Sequence, residues 1–120
     1  MNRLFDKVSR RTTSCFPTAE KEIYITFDDG PTNHITRWIL ETLKEYEAKA
    51  TFFCKGENVA SFPAQYKKIT DEDHSVGNHS YSHLNGWKTN NKLYFEDIKK
   101  AAKLIQSKLF RPPYGKLRPS

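Results

Sequence analysis

Cysteine is scarce in this chain: 120 residues hold only Cys15 and Cys54, and neither belongs to a Cys-x-x-Cys pair. That excludes a disulfide framework and a cysteine-based metal site. Cys54 ends an apolar run and reads as a buried thiol acting as a small hydrophobe, whereas Cys15 sits in an irregular N-terminal stretch. No apolar stretch approaches the ~18 residues of a membrane span, so no transmembrane segment is expected. Met1 to Phe16 carries basic residues without a continuous apolar stretch, so no signal peptide is visible, and the compartment stays open. Internal repeats and low-complexity segments are also lacking. The net charge is +6, but the lysines and arginines are spread along the chain and no nucleic-acid motif accompanies them, which sets a nucleic-acid partner aside. Attraction to an anionic cell-envelope polymer remains compatible with that charge.

What is present is enough for one domain: 37% of residues are hydrophobic and 28% charged. Residues 1–20 show no period and read as an arm. From about residue 21 the chain alternates. Ile23 to Phe27 is a short run of β-formers, a buried strand. Thr32 and Asn33 are N-cap candidates, and Ile35, Trp38, Ile39, Leu43 and Tyr46 recur at helical spacing, predicting a helix over about 34–47. Ala50 to Cys54 is a second strand, broken by Gly56. Pro63 opens a short helix over about 63–70. His74 to Asn78 is a third strand, with His74 expected to be a hydrogen-bonded structural histidine. Tyr94, Ile98, Ala101, Ile105 and Leu109 mark a helix over about 91–108, and Leu109 to Arg111 a short fourth strand cut off by prolines. Strands alternating with helices imply an α/β fold of right-handed βαβ units around a parallel sheet.

Short motifs fall at the C-terminal ends of these strands, the edge where parallel α/β folds place their chemistry. Thr26-Phe27-Asp28-Asp29-Gly30-Pro31 offers two adjacent carboxylates. Successive side chains at a strand end point in different directions, so one can ligate a metal while the other stays free to take a proton. Gly30 is expected to supply the unusual backbone angles of the exit. His79-Ser80-Tyr81-Ser82-His83 places two imidazoles at i and i+4, which on a helical turn would share one face. Ser80 stands where a zincin would carry glutamate, so a base must come from elsewhere, and a carboxylate of the first motif is available. Arg111-Pro112-Pro113-Tyr114-Gly115 is a proline-held segment whose guanidinium can clamp a carboxylate and whose Tyr114 amide can serve an oxyanion. Each motif alone also reads blandly, as a solvated turn, a pair of surface histidines or a strand terminus. Trp87, just beyond the histidines, suits either stacking on a sugar or core and lid packing. Together the motifs supply ligands, a base and a group to orient it, the requirements of metal-assisted hydrolysis.

Taken in order, TFDDGP, GNHSYSH and FRPPYG resemble the motifs of the polysaccharide deacetylase family, the NodB-homology or family 4 carbohydrate esterases, over about residues 20–118. The resemblance implies a distorted (β/α) TIM-like barrel, of which residues 21–120 would form a partial domain truncated after about four strands. It implies that Asp28 is the catalytic base, that Asp29, His79 and His83 hold a divalent metal, that Arg111 orients Asp28, and that the Tyr114 N–H helps form an oxyanion hole. The implied reaction removes acetyl groups from N-acetylated sugars in a polymer such as peptidoglycan or chitin, with O-acetyl xylan as the variant in some relatives. The mixed nitrogen and oxygen donors suit Zn2+, with Co2+, Ni2+ or Fe2+ as alternatives. The partner implied is an acetylated polysaccharide, in a cell-envelope or secreted setting.

The family also carries two later motifs, an Asp/Trp segment and a Leu-x-His whose histidine is a general acid. Neither occurs in these 120 residues, and His34 and His74 come too early to replace them. A missing general acid costs about 10²–10⁴ in rate. The expectation is therefore a fragment or truncation, poorly stable alone or associating, with the oligomeric state open. A catalytically impaired relic that binds metal or glycan without turnover is the alternative, and a basic interaction domain with coincidental motifs a third. Asp73 stands before His74 where the family commonly has glycine, which leaves the start of the third strand open.

Overall fold

In the computed structural model, which describes residues 19–117, three short strands run side by side and all end at one edge. They are β1 (Ile25–Asp28), β2 (Ala50–Cys54) and β3 (Ser75–Asn78), in the order β1-β2-β3. Both pairings are parallel, with Asp28 opposite Phe53 and Cys54 opposite Asn78, so the first two motifs leave the sheet from the same edge. Helices α1 (Asn33–Glu45), α2 (Gly56–Ser61), α3 (Pro63–Asp71) and α4 (Asn91–Ala102) make the crossovers. This is the α/β fold expected from the alternation of elements. Most of residues 1–20, with Cys15, lies outside the described residues.

The core lies between the sheet and its helices, where Leu40, Leu43, Phe52, Cys54, Val59, Ile69, Ala101 and Ile105 are buried together. Burial pushes the Cys54 thiol up to about 12, as an inert core cysteine should behave. Helix α1 turns only part of the expected stripe inward, with Leu43 buried and Ile39 packed against the core. Thr36, Leu40 and Leu43 are buried, while Ile35, Trp38 and Tyr46 are exposed. The buried set still follows the i, i+4, i+7 spacing of a helix face, but it is centred one residue on.

Further differences from the sequence expectation have local causes. The fourth strand is only an isolated bridge, Asn78 with Phe110, flanked by Asn78 N–H to the Leu109 carbonyl and Arg111 N–H to the Asn78 carbonyl. Pro112 and Pro113 have no N–H with which to extend a ladder. Helix α4 stops at Ala102 rather than near 108, and Ile105 is nonetheless buried beyond its end. Helix α2 was not expected. It starts where the N–H groups of Gly56 and Glu57 donate to the carbonyls of Ser80 and Tyr81, so tertiary partners satisfy its first donors. Gly56 allows this closeness, since a Cβ there would lie 3.1 Å from the Ala101 backbone of α4. Asp73 takes φ 58, a left-handed conformation that glycine adopts freely and Asp tolerates. His74 is indeed structural, its Nδ1 accepting from the Ala50 N–H at 3.3 Å. Among the described residues, no helix is long and apolar enough to cross a membrane.

Candidate metal centre

Asp28 and Asp29 leave β1 in different directions because the backbone turns between them. Asp29 itself adopts φ 68, whereas Gly30 shows no positive φ. The left-handed step thus falls on the aspartate, one of the few non-glycine residues that enters this region readily. It is held from outside, by Asn58 Nδ2 donating to the Asp29 carbonyl at 2.7 Å and Lys55 N–H donating to the Gly30 carbonyl at 2.9 Å.

The two histidines meet Asp29 without a helix. His79 to Asn90 is irregular, and Ser80 and His83 have φ 62 and 58, so the loop folds back on itself rather than winding. Ser80 Oγ accepts from the His83 N–H at 3.0 Å and closes the loop. Asn78 Oδ1 accepts from Ser80 N–H at 2.8 Å, and Asp97 Oδ2, from α4, accepts from Tyr81 and Ser82 N–H at 2.8 and 3.0 Å. His83 Nε2 lies 3.2 Å and His79 Nε2 3.6 Å from Asp29 Oδ1. One donor atom from each residue fits within 4.8 Å of the others, with His79 buried, His83 partly buried and Asp29 exposed. His79 Nδ1 is 2.7 Å from the Arg111 carbonyl. A carbonyl cannot donate, so Nδ1 carries the proton and Nε2 keeps its lone pair. One carboxylate oxygen and two imidazole nitrogens, one of them in the required tautomer, fit a divalent ion with room for further ligands.

Arg111 reaches the other carboxylate. Its Nη1 donates to Asp28 Oδ1 at 2.7 Å and to Thr26 Oγ1 at 2.9 Å, and its guanidinium lies 4.0 Å over the Phe53 ring. Tyr114 packs edge-on against His83 with ring centres 4.6 Å apart. The short 3-10 turn Pro113–Gly115 carries it at φ 59. The structure therefore brings together all six residues singled out in the sequence: Asp28, Asp29, His79, His83, Arg111 and Tyr114. The residues that sequence reasoning missed are the supports, Asp97, Asn78, Ser80 and Asn58. An aspartate on an amphipathic helix carries no signal of its partners 15 and 16 residues away.

Known proteins resemble this chain in sequence and fold. The sequence profile described as polysaccharide deacetylase matches residues 16–120. A peptidoglycan-N-acetylglucosamine deacetylase of Bacillus cereus is 42% identical over 107 residues, covering 84% of this chain and 39% of that protein. The peptidoglycan-N-acetylmuramic acid deacetylase PdaC of Bacillus subtilis is 37% identical, over 80% of this chain and 22% of its own length. A crystal structure of a peptidoglycan N-acetylglucosamine deacetylase superposes with a TM-score of 0.80 at 42% identity, covering 85% of this chain and 50% of that one. The chain thus spans half or less of the length of these relatives, and its sheet is part of their TIM-like barrel. With its ordered motifs, parallel sheet and Asp-His-His cluster, the chain belongs to the polysaccharide deacetylase family.

Proposed function

We propose that this chain carries the metal centre and the base of a peptidoglycan deacetylase, with residues 21–120 as a partial catalytic domain. Water adds to the acetyl carbon of an N-acetylated sugar, the C–N bond breaks, and acetate and a free amine result. The observation that carries this reading is the split between adjacent carboxylates: Asp28 is 2.7 Å from Arg111, and Asp29 is 3.2 Å from His83.

Asp29, His79 and His83 would hold the ion. Zinc suits these donors, and cobalt, nickel and iron are compatible. A divalent ion bound there supplies Lewis acidity toward water and an acetyl carbonyl. Asp28 takes the proton of the attacking water, while Arg111 occupies Oδ1 and leaves Oδ2 for that proton. The Arg111 carbonyl keeps the His79 lone pair at Nε2. The Tyr114 N–H donates to the charge developing on the acetyl oxygen, a contact of a kind worth about 10²–10³ in rate. N-acetylglucosamine is the proposed sugar, since identity is higher to the relative named for it than to the one named for N-acetylmuramic acid.

Titration with Zn2+, paired with an assay for acetate released from N-acetylglucosamine oligomers and from peptidoglycan, tests the division of roles. Asp29→Ala should lose tight metal binding, and Asp28→Asn should keep it while losing acetate release. If both variants behave alike, the division is wrong. A second reading is binding of metal or glycan without turnover. Zinc binding by the wild type with no acetate release would support it.

A further inference from the structure

The loop after His83 carries an exposed tryptophan that the acetyl chemistry does not use. Trp87 is 57% exposed, yet it is braced. Its Nε1–H donates to the Leu117 carbonyl at 3.4 Å, its own N–H donates to Asn85 Oδ1 at 3.0 Å, and Lys116 Nζ lies 5.1 Å from the ring centre. Gly86 makes this bracing possible, because a Cβ there would lie 2.3 Å from the Lys116 carbonyl oxygen and 3.3 Å from the Tyr94 ring. Lys116 and Leu117 directly follow the turn that seats Tyr114 against His83. Besides the His79–Arg111 hydrogen bond, the histidine loop and the arginine segment are therefore joined by two aromatic junctions, His83 with Tyr114 and Trp87 with Leu117. Each junction displays an aromatic ring, Tyr114 at 62% and Trp87 at 57% exposure. Trp87 follows His83 by four residues, so the two backbones are at most ~14 Å apart.

Resting on the deacetylase reading above, we propose that Trp87 is a stacking platform for a sugar ring of the same polymer, one or more units away from the acetyl group being removed. A pyranose presents C–H bonds on its face and hydroxyls at its rim. A flat indole meets the face, and the Lys116 ammonium beside it donates to rim hydroxyl or acetamide oxygens. A ring already held by its neighbours loses little conformational freedom on binding, which favours affinity. A lone exposed aromatic would say little by itself. Trp38 on α1, 65% exposed, provides the internal comparison.

Calorimetric titration of the 120-residue chain with an N-acetylglucosamine tetramer tests this, with Zn2+ affinity measured separately. Trp87→Ala should weaken tetramer binding on the order of tenfold or more, while Trp38→Ala leaves it unchanged and all variants bind zinc equally. Trp87→Tyr should recover part of the affinity that Trp87→Leu does not, a comparison that holds if the alanine variant folds poorly. Tetramer binding unaffected at Trp87, or a wild type that binds zinc but no tetramer, overturns the proposal. Trp87-dependent tetramer binding by a chain that takes up no zinc sustains the platform and sinks the metal reading instead.

Discussion

The Nδ1 atom of His79 lies 2.7 Å from the backbone carbonyl oxygen of Arg111, while the side chain of the same arginine holds Asp28. One residue therefore serves both halves of the site, setting the tautomer of a candidate ligand with its backbone and orienting a candidate base with its guanidinium. The tautomer is directly observable. Long-range proton–nitrogen correlation spectra near neutral pH should show His79 protonated at Nδ1 and bare at Nε2, and added Zn2+ should shift the Nε2 resonance most. A bare Nδ1 would contradict the hydrogen bond.

Replacing the arginine side chain leaves its backbone carbonyl in place and so separates the two roles. Arg111→Lys cannot reproduce the guanidinium that bridges Thr26 and Asp28, because lysine offers a point charge rather than a planar fork. Zinc affinity should stay within about threefold of wild type. Acetate release, where the wild type shows it, should fall by about 10²–10⁴, the range for losing a well-placed base. Parallel metal titration and rate measurement decide the point, and a large loss of zinc affinity would show that Arg111 acts on the ligands.

Asp97 is the support whose loss should be felt at the metal. Its Oδ2 accepts two backbone N–H groups of the histidine loop, bonds to a charged acceptor that are stronger than neutral ones. Asp97→Ala leaves both donors without this partner and should destabilise the fold by about 1–3 kcal/mol. It should also weaken Zn2+ binding about 10–100-fold, the usual effect of removing a group that orients ligands. Denaturant unfolding and metal titration give the two numbers. Unchanged metal affinity would mean that the loop holds its shape without α4.

These supports explain what could and could not be read in advance. The clustering of Asp28, Asp29, His79, His83 and Arg111 was legible because each motif is contiguous and was placed at the C-terminal end of a strand. Strand β2 was legible to its ends because its apolar run is bounded on both sides. The inward face of α1 was not, since Ile35 and Trp38 compete with Leu40 and periodicity alone does not choose between overlapping apolar stripes. Helix α2 was hidden because its start depends on the Ser80 and Tyr81 carbonyls, which no local signal announces. The left-handed step at Asp29 was assigned to Gly30 because glycine is the usual occupant of that region.

His74 makes the stability of the fold depend on pH. Burial first, and then the Lys49 charge, hold its imidazole below the ordinary 6.5, outweighing the opposite pull of Glu72 and Asp73. Protonation would also set a second donor against the Ala50 N–H that now donates to Nδ1. The unfolded chain takes up this proton near 6.5 and the folded chain only at lower pH. The contribution of His74 is thus fully present above 6.5 and is lost as pH falls through the depressed folded value. In metal-free buffer the denaturation midpoint should drop between pH 7.5 and pH 5.5. His74→Gln should be less stable at pH 7.5 but show a flatter dependence, because glutamine takes up no proton. Equal slopes for the two would remove His74 as the source.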